Sequence, residues 1–158
     1  MPDSTLTVAE RAFLVELDRL GVRFMVVGMS GALIQGARGA TEDIDLWFED
    51  LTDIRIGNAA RASGGIWISG SFGMGPPRLG GKALSERFDV VTHMSGLGDF
   101  GSEYQWVRRE IIDGVPIPVL SLRRIVESKR AAARPKDKAI LHALEDALAL
   151  IEAGEFRP

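Results

Sequence analysis

The chain contains no cysteine among its 158 residues, which excludes disulfide frameworks, thiolate zinc sites and cysteine nucleophiles. Histidine is also scarce, because His93 and His142 are too few and too dispersed for an H-E-x-x-H zinc motif. No stretch approaches the roughly 18 uninterrupted apolar residues that a membrane span requires. The first residues show no positively charged segment followed by an apolar run. We therefore expect a cytoplasmic protein with neither a signal peptide nor a membrane contact.

Charge of one sign is not in large excess either, since 19 basic and 22 acidic residues give a net charge of −3. Such a chain has no overall basic field for non-specific nucleic-acid binding, so any contact with nucleic acid must be local. The apolar share of 46% and the charged share of 26% are typical of globular proteins. The length suits a single domain over residues 1–158, with a core over about 22–120 and C-terminal helices over about 121–153.

Hydrophobic periodicity predicts an α+β fold, in which a mixed central sheet is flanked by helices and followed by two C-terminal helices. A T-x-x-E capping box at Thr7 marks the first helix, which we expect to end at Gly21. Pro116 and Pro118 suit an edge strand, and the glycine-rich residues 70–82 predict an irregular loop. The predicted strands are residues 24–27, 44–48, 66–69, 87–92, 107–112 and 115–120. The other predicted helices are residues 30–35, 51–62, 121–133 and 135–154.

Asp43 and Asp45 form a D-x-D pair at the start of the second predicted strand. Successive side chains of a strand alternate between its faces, so the two carboxylates project together while Ile44 and Leu46 point into the core. Such a pair is costly unless it is solvated or neutralised, and a hard divalent cation such as Mg²⁺ is its natural partner. A solvated acidic strand end is the simpler alternative for a bare D-x-D.

Two neighbouring features add to this pair. The first predicted strand ends at Gly28, where a short helix would direct free backbone N–H groups at an anion. A third carboxylate, Asp89, lies in the predicted strand at 87–92, and it would join the pair if that strand neighbours the second one. Taken separately, Gly28 is also compatible with a plain strand-to-helix connection, and Asp89 with a surface position.

The order of Gly28, Gly36, Thr41, Asp43 and Asp45 resembles the nucleotidyltransferase superfamily related to DNA polymerase beta. The closest resemblance is to its small stand-alone bacterial members and to the nucleotidyltransferase toxins of abortive-infection systems. It extends over residues 87–90, 113–115, 119–122 and 129–137, and covers roughly residues 22–150. It implies that two Mg²⁺ ions orient a nucleoside triphosphate and activate an acceptor hydroxyl, so that NMP is transferred and pyrophosphate is released.

The resemblance also implies a role for individual residues. Asp43 and Asp45 would be metal ligands, with Asp89 as the third carboxylate, either a ligand or the base for the acceptor hydroxyl. This agrees with two-metal chemistry, in which ions about 3.5–4 Å apart stabilise both the attacking and the leaving oxygens. The implied nucleotide-binding residues are Gly28, Ser30, Arg38, Thr41, Lys129 and Lys136.

Two positions depart from the family pattern. Met29 stands where a second small residue usually follows the first glycine, and Gly39 replaces an arginine usually found two residues before the threonine. Arg38 is offset from that arginine by one place. Both departures bear on catalysis more than on the fold.

The segment 121–138 carries seven basic residues against two acidic ones, a local excess in an acidic chain. Lys129 and Lys136 match the family, and the segment suits a triphosphate or an RNA acceptor. A solvated pair of helices is the plain alternative, because charge runs usually face water.

Three functions are compatible with these residues. The first is a Mg²⁺-dependent nucleotidyltransferase that uses a nucleoside triphosphate and modifies a hydroxyl on RNA, a protein or a small molecule. The second is a non-catalytic module with the same fold that acts as a toxin–antitoxin partner or a nucleotide sensor. The third is a D-x-D glycosyltransferase that uses a nucleotide sugar and a divalent metal.

Overall fold

The computed structural model describes residues 6–70 and 75–155 of the chain. The helices are α1 (Val8–Arg19), α2 (Gly28–Ile34), α3 (Ile54–Ala62), α4 (Lys82–Ser85), α5 (Phe100–Glu103), α6 (Leu122–Ala132) and α7 (Pro135–Glu155). The strands are β1 (Phe24–Val27), β2 (Ile44–Phe48), β3 (Ile66–Ile68), β4 (Arg78–Gly80), β5 (Phe88–Val91), β6 (Val107–Ile112) and β7 (Val115–Leu120). This arrangement confirms the predicted α+β fold with two C-terminal helices.

The central sheet has five strands in the order β5-β2-β1-β7-β6. Strand β1 runs antiparallel to β2 and parallel to β7, while β2 runs parallel to β5. Strands β6 and β7 form an antiparallel hairpin. A separate two-stranded sheet consists of β3 and β4. The central sheet is therefore mixed, as predicted.

Strand β1 is buried on both of its faces, so its four residues are a continuous apolar run rather than an alternating one. Phe24 and Val26 pack into one core, beneath α1, α3 and α4, whereas Met25 and Val27 pack into a second core with α6 and α7. The apolar stripe of α7 centres on Leu144, which is fully buried in this second core. The sheet thus separates two hydrophobic cores.

Helix α1 begins as predicted, since the side chain of Thr7 accepts a hydrogen bond from the N–H of Glu10 and the Glu10 side chain accepts one from the N–H of Thr7. The Glu10 carboxylate is buried and also accepts hydrogen bonds from Arg87, at 2.7 and 2.9 Å. Arg87 immediately precedes β5, so this ion pair fastens the first helix to the strand that carries Asp89. In the described ranges, no helix is long and apolar enough to cross a bilayer.

The prediction that Pro116 and Pro118 mark an edge strand is wrong, because β7 lies between β1 and β6. The N–H of Ser121 donates to the carbonyl of Trp106, the residue before β6, so alternation turns the nitrogens of both prolines towards β1. In the parallel pairing of β1 with β7, Val26 lies opposite Val119. This pairing requires no N–H from either proline, so the prolines are compatible with an interior strand.

The prediction of an irregular loop over residues 70–82 is wrong at its C-terminal end. Residues 71–74 lie outside the described residues, but Arg78–Gly80 forms β4, which pairs with β3 in antiparallel register. The cause is packing, because Leu79 is buried in the first core and supports a strand despite the neighbouring glycines. Helix α5 was not predicted either. Asp99 caps it, because the Asp99 carboxylate accepts a hydrogen bond from the N–H of Ser102.

Candidate functional site

Three aspartates face one cleft beside the second core. Strands β2 and β5 run in parallel register with Asp45 directly opposite Asp89. Asp43 precedes Asp45 by two residues, and it lines the same cleft of about 470 Å³ together with the other two. Ile44 is buried in the opposite core, as strand alternation predicts. The three carboxylates come together because β2 and β5 are neighbours in the sheet. The sequence did not establish this strand order.

Gly28 lies directly against the Asp45 carboxylate. A Cβ atom at this position would stand 2.5 Å from Oδ2 of Asp45, and the backbone φ of +64° is one that side chains with a Cβ rarely adopt. Glycine is therefore required here for two independent reasons. Its absent side chain allows the turn from β1 into α2 to pass beside the acidic group, so that Gly28 and Met29 line the cleft.

Ser30, which the family resemblance implies as a nucleotide-binding residue, is buried next to Asp45. Its hydroxyl is fully buried, donates to the carbonyl of Val27 at 2.8 Å and accepts from the N–H of Asp45 at 3.0 Å. It also lies 3.5 Å from Oδ2 of Asp45. Ser30 is not among the residues that line the cleft. Its hydroxyl ties α2 to β2 and so fixes the backbone position of Asp45.

The environment of Asp45 disfavours its charged form. Burial is the largest cause, followed by the negative charges of Asp89 and Asp43, and together they raise the pKa of Asp45 from about 3.8 to about 6. The charge of Lys129 and the hydrogen bond from Ser30 act in the opposite direction. A cation bound beside Asp45 would therefore stabilise its charged form.

The chemistry of this group of carboxylates fits a magnesium ion, because hard divalent cations prefer oxygen ligands. Asp43, Asp45 and Asp89 carry such oxygens. A divalent cation would relieve the repulsion among these three carboxylates. Within residues 6–70 and 75–155, however, no three His, Cys, Asp or Glu side chains are close enough together to form a ready ligand set for one ion. Their side chains would have to adjust when an ion binds.

Thr41 lies at the entrance to this group. Its hydroxyl accepts a hydrogen bond from the N–H of Asp43 at 3.2 Å, which shapes the turn before β2. Thr41 also lines the cleft. It therefore positions Asp43 through the backbone while its own side chain stays partly accessible.

Cationic side chains from a different part of the fold line the same cleft. They are Lys129 from α6, Arg134 from the turn between α6 and α7, and Lys136 from the first turn of α7. Asp137 holds two of them, because its buried carboxylate lies 3.3 Å from Nζ of Lys129 and accepts a 2.6 Å hydrogen bond from Nε of Arg134. The cleft thus has an acidic side and a basic side, an arrangement suited to a metal-bound polyanion.

The two departures from the family pattern are in contact with each other. A Cβ atom on Gly39 would collide with the methyl group of Met29, so the methionine side chain extends over the backbone of Gly39. Arg38 is exposed and does not line the cleft among the described residues. Met29 and Gly39 therefore pack against each other.

The sequence analysis assigned no individual site role to three residues of this region, namely His93, Arg134 and Asp137. His93 lines the cleft two residues beyond Val91 and four beyond Asp89, so the alternation that placed Asp89 also indicates His93. Arg134 and Asp137 stand three residues apart at a helix start, a spacing at which side chains can meet. Their spacing was a usable signal, but the burial of Asp137 was not visible in the sequence.

No protein-family model matches the chain, and no curated protein matches it significantly. Solved structures do. The crystal structure of ANT(2")-Ia in complex with adenylyl-2"-tobramycin aligns with a TM-score of 0.58 and 14% identity, over 91% of this chain and 88% of that one. The solution structure of the antibiotic-resistance factor ANT(2'')-Ia aligns with a TM-score of 0.55 and 13% identity, over 93% and 91%.

A third similar structure is an antigenic nucleotidyltransferase-like protein from Paracoccidioides brasiliensis. It aligns with a TM-score of 0.52 and 16% identity, over 90% of this chain and 76% of that one. At such low identity these likenesses bear on the fold, and their coverage extends over nearly all of this chain. The chain has the fold of the nucleotidyltransferase superfamily.

Proposed function

We propose that this protein transfers a nucleoside monophosphate from a nucleoside triphosphate to a hydroxyl group on RNA, a protein or a small molecule, with release of pyrophosphate. The observation that carries this proposal is the two-sided cleft, in which Asp45 and Asp89 lie opposite each other and face Lys129 and Lys136. Acidic residues alone would suit a cation, and basic residues alone would suit an anion. Both together suit a metal–triphosphate complex.

The reaction requires one bond to form and one to break. The oxygen of the acceptor hydroxyl bonds to the α-phosphorus, the bond from that phosphorus to the oxygen bridging the α- and β-phosphates breaks, and pyrophosphate leaves. The hydroxyl proton passes to a carboxylate, for which Asp89 is the candidate. Asp43 and Asp45 would hold Mg²⁺, which neutralises negative charge on the triphosphate and polarises its oxygens.

The chain's own residues divide the remaining work. Lys129 and Lys136 would bind the phosphates as point charges, and the absent side chain of Gly28 lets the donor approach the Asp45 carboxylate. Ser30 and Thr41 hold the backbone N–H groups of Asp45 and Asp43 respectively. A structural neighbour whose complex contains adenylyl-2"-tobramycin supports nucleotidyl transfer as the chemistry of this fold.

The transfer reaction can be tested with α-³²P-labelled nucleoside triphosphates, Mg²⁺ and three acceptor pools, namely cellular RNA, cellular protein and a small-molecule extract. We expect label to move to one of these pools. Replacing both Asp43 and Asp45 with Asn should lower the rate about 100-fold or more, because the carboxylates that would hold the metal are lost.

The matched control is Asp146→Asn, since Asp146 is an exposed aspartate on α7 whose partner is His142. It should transfer label at the wild-type rate. Full activity in the double variant would contradict the proposal. Binding of triphosphate without transfer to any pool would instead support the non-catalytic module.

A further inference from the structure

Asp137 is a buried charge that the proposed reaction does not use. It lies in the first turn of α7 and is 1% exposed. Its carboxylate accepts hydrogen bonds from Arg134 through Nε at 2.6 Å, Nη2 at 3.2 Å and the backbone N–H at 3.2 Å, and it lies 3.3 Å from Nζ of Lys129. Hydrogen bonds from Arg134 lower the pKa of Asp137 to about 2, so the group stays ionised at any physiological pH.

Both partners of Asp137 line the cleft that contains Asp45. Lys129 stands between two sources of negative charge, because its own charge also acts on Asp45. A lysine has a flexible stem, so without Asp137 it would be drawn towards Asp45. That pairing would occupy a phosphate-binding cation and a metal-binding carboxylate at the same time.

We propose that Asp137 is a positioning residue that holds Lys129 and Arg134 apart from the acidic side, and that Arg134 binds the phosphates of the donor. This inference rests on the proposed function, because it assigns these residues to the same donor site. The planar fork of Arg134 is fixed by two side-chain hydrogen bonds before any ligand arrives. A cation that is ordered in advance loses less entropy when a polyphosphate binds.

The alternative is that Asp137 only caps α7 through its hydrogen bond from the backbone N–H of Arg134. The substitution Asp137→Asn separates the two roles. Asparagine keeps an oxygen that can accept this N–H, but it removes the charge that holds the two cations. A cap alone therefore predicts little change in anion binding.

The test is calorimetric titration of inorganic tripolyphosphate in EDTA, because this probe requires neither the correct nucleobase nor the metal. Simple electrostatics predicts that removing the negative charge of Asp137 strengthens anion binding. The positioning role predicts the opposite. We expect Asp137→Asn to weaken binding about tenfold, the equivalent of one charge-assisted hydrogen bond.

Two further variants complete the experiment. Arg134→Lys keeps the charge but loses the fork, and it should also weaken tripolyphosphate binding about tenfold. Arg134 is half exposed, so this variant serves even if Asp137→Asn fails to fold. The control is Arg130→Gln, which removes a positive charge from α6, the helix that carries Lys129; Arg130 pairs with Glu127 and Glu145. It should bind within about twofold of wild type, since a screened surface charge contributes little.

The inference is overturned if Asp137→Asn binds tripolyphosphate as tightly as wild type or more tightly, and Arg134→Lys binds it as tightly as wild type. That result would leave the proposed function standing. Wild-type protein that binds no tripolyphosphate would also overturn the inference, whereas the proposed function is decided by the transfer reaction with Mg²⁺. In the transfer reaction, Asp137→Asn should raise the KM for the triphosphate more than it lowers kcat. A purely structural role would not separate these two constants.

Discussion

Asp45 is positioned mainly through its backbone and through the empty space beside it. The hydroxyl of Ser30 accepts a hydrogen bond from the N–H of Asp45, and the missing side chain of Gly28 leaves room for the Asp45 carboxylate. These contacts keep an acidic group in a place where burial and two like charges oppose its ionisation. The fold therefore carries an electrostatic cost at this residue, as is common where charge is concentrated for binding.

This cost predicts that Asp45→Asn stabilises the metal-free protein at neutral pH. The pKa of Asp45 is raised to about 6, so the unfolded chain gives up this proton at lower pH than the folded protein does. The Asp45 contribution to the free energy of unfolding falls as the pH rises from about 4 to about 6, and it does not fall further above that range. We expect the variant to melt about 2–4 °C higher than wild type at pH 7.5, which is roughly 1 kcal/mol for a domain of this size.

The measurement is thermal unfolding in EDTA at pH 4.5 and pH 7.5, with Asp146→Asn as the control for an exposed aspartate. The advantage of Asp45→Asn should be small at the lower pH and larger at the higher one. A variant that is destabilised equally at both pH values would show that the Asp45 charge is not opposed by its surroundings.

Met29 and Gly39 make a second prediction at the scale of single residues. Gly39→Ala should destabilise the protein by about 1–3 kcal/mol, because a residue with a Cβ is strained at the φ of +145° and the new methyl group also meets the end of the Met29 side chain. The same substitution in a Met29→Ala background should cost less, with a coupling energy of about 0.5 kcal/mol or more. The strain from the φ of +145° at Gly39 is common to both backgrounds and cancels in the comparison.

Chemical denaturation of the four proteins in this double-mutant cycle provides the measurement. Equal costs of Gly39→Ala in the two backgrounds would show that Met29 does not fill the space above Gly39.

At the scale of elements, the strands that carry the carboxylates were predictable and their neighbours were not. Alternation within residues 43–46 correctly predicted which side chains of β2 enter the core, since Ile44 and Leu46 are buried. The pairing of β2 with β5 depends on long-range contacts that no local pattern contains. The same limit explains the wrong edge position for β7, because Pro116 and Pro118 restrict only one side of a strand.

The turn between α6 and α7 makes a prediction of its own. Ala133 ends α6 with a φ of +51° and a ψ of +27°, a left-handed conformation that usually requires glycine. Ala133→Gly should therefore stabilise the protein by about 0.5–1 kcal/mol, since the relief of strain exceeds the added freedom of the unfolded chain.

Urea unfolding measures this change, and Ala131→Gly is the matched control. Ala131 lies within α6, where glycine should cost about 0.5–1 kcal/mol. The two variants should therefore shift the unfolding midpoint in opposite directions. Equal destabilisation by both would contradict the assigned backbone conformation of Ala133.

At the scale of the whole molecule, the central sheet separates two cores, and the cleft lies on the side that α6 and α7 cover. The net charge of −3 gives no indication of this cleft, because the charges of its acidic and basic residues nearly cancel. The family resemblance covered residues 129–137 but assigned nucleotide binding there only to Lys129 and Lys136. Packing decides which side of α6 meets the sheet, and the sequence does not show this packing. From the sequence alone, the charged residues of α6 were therefore also compatible with a solvated surface.

The central claim is that this cleft binds a metal–triphosphate complex through the carboxylates. The most direct measurement is calorimetric titration of each of the four nucleoside triphosphates, with and without Mg²⁺, into wild-type protein and an Asp43→Asn, Asp45→Asn double variant. We predict binding of at least one triphosphate that strengthens with Mg²⁺ in the wild type, and no such strengthening in the double variant. Binding that ignores Mg²⁺, or that strengthens equally in both proteins, would contradict the account.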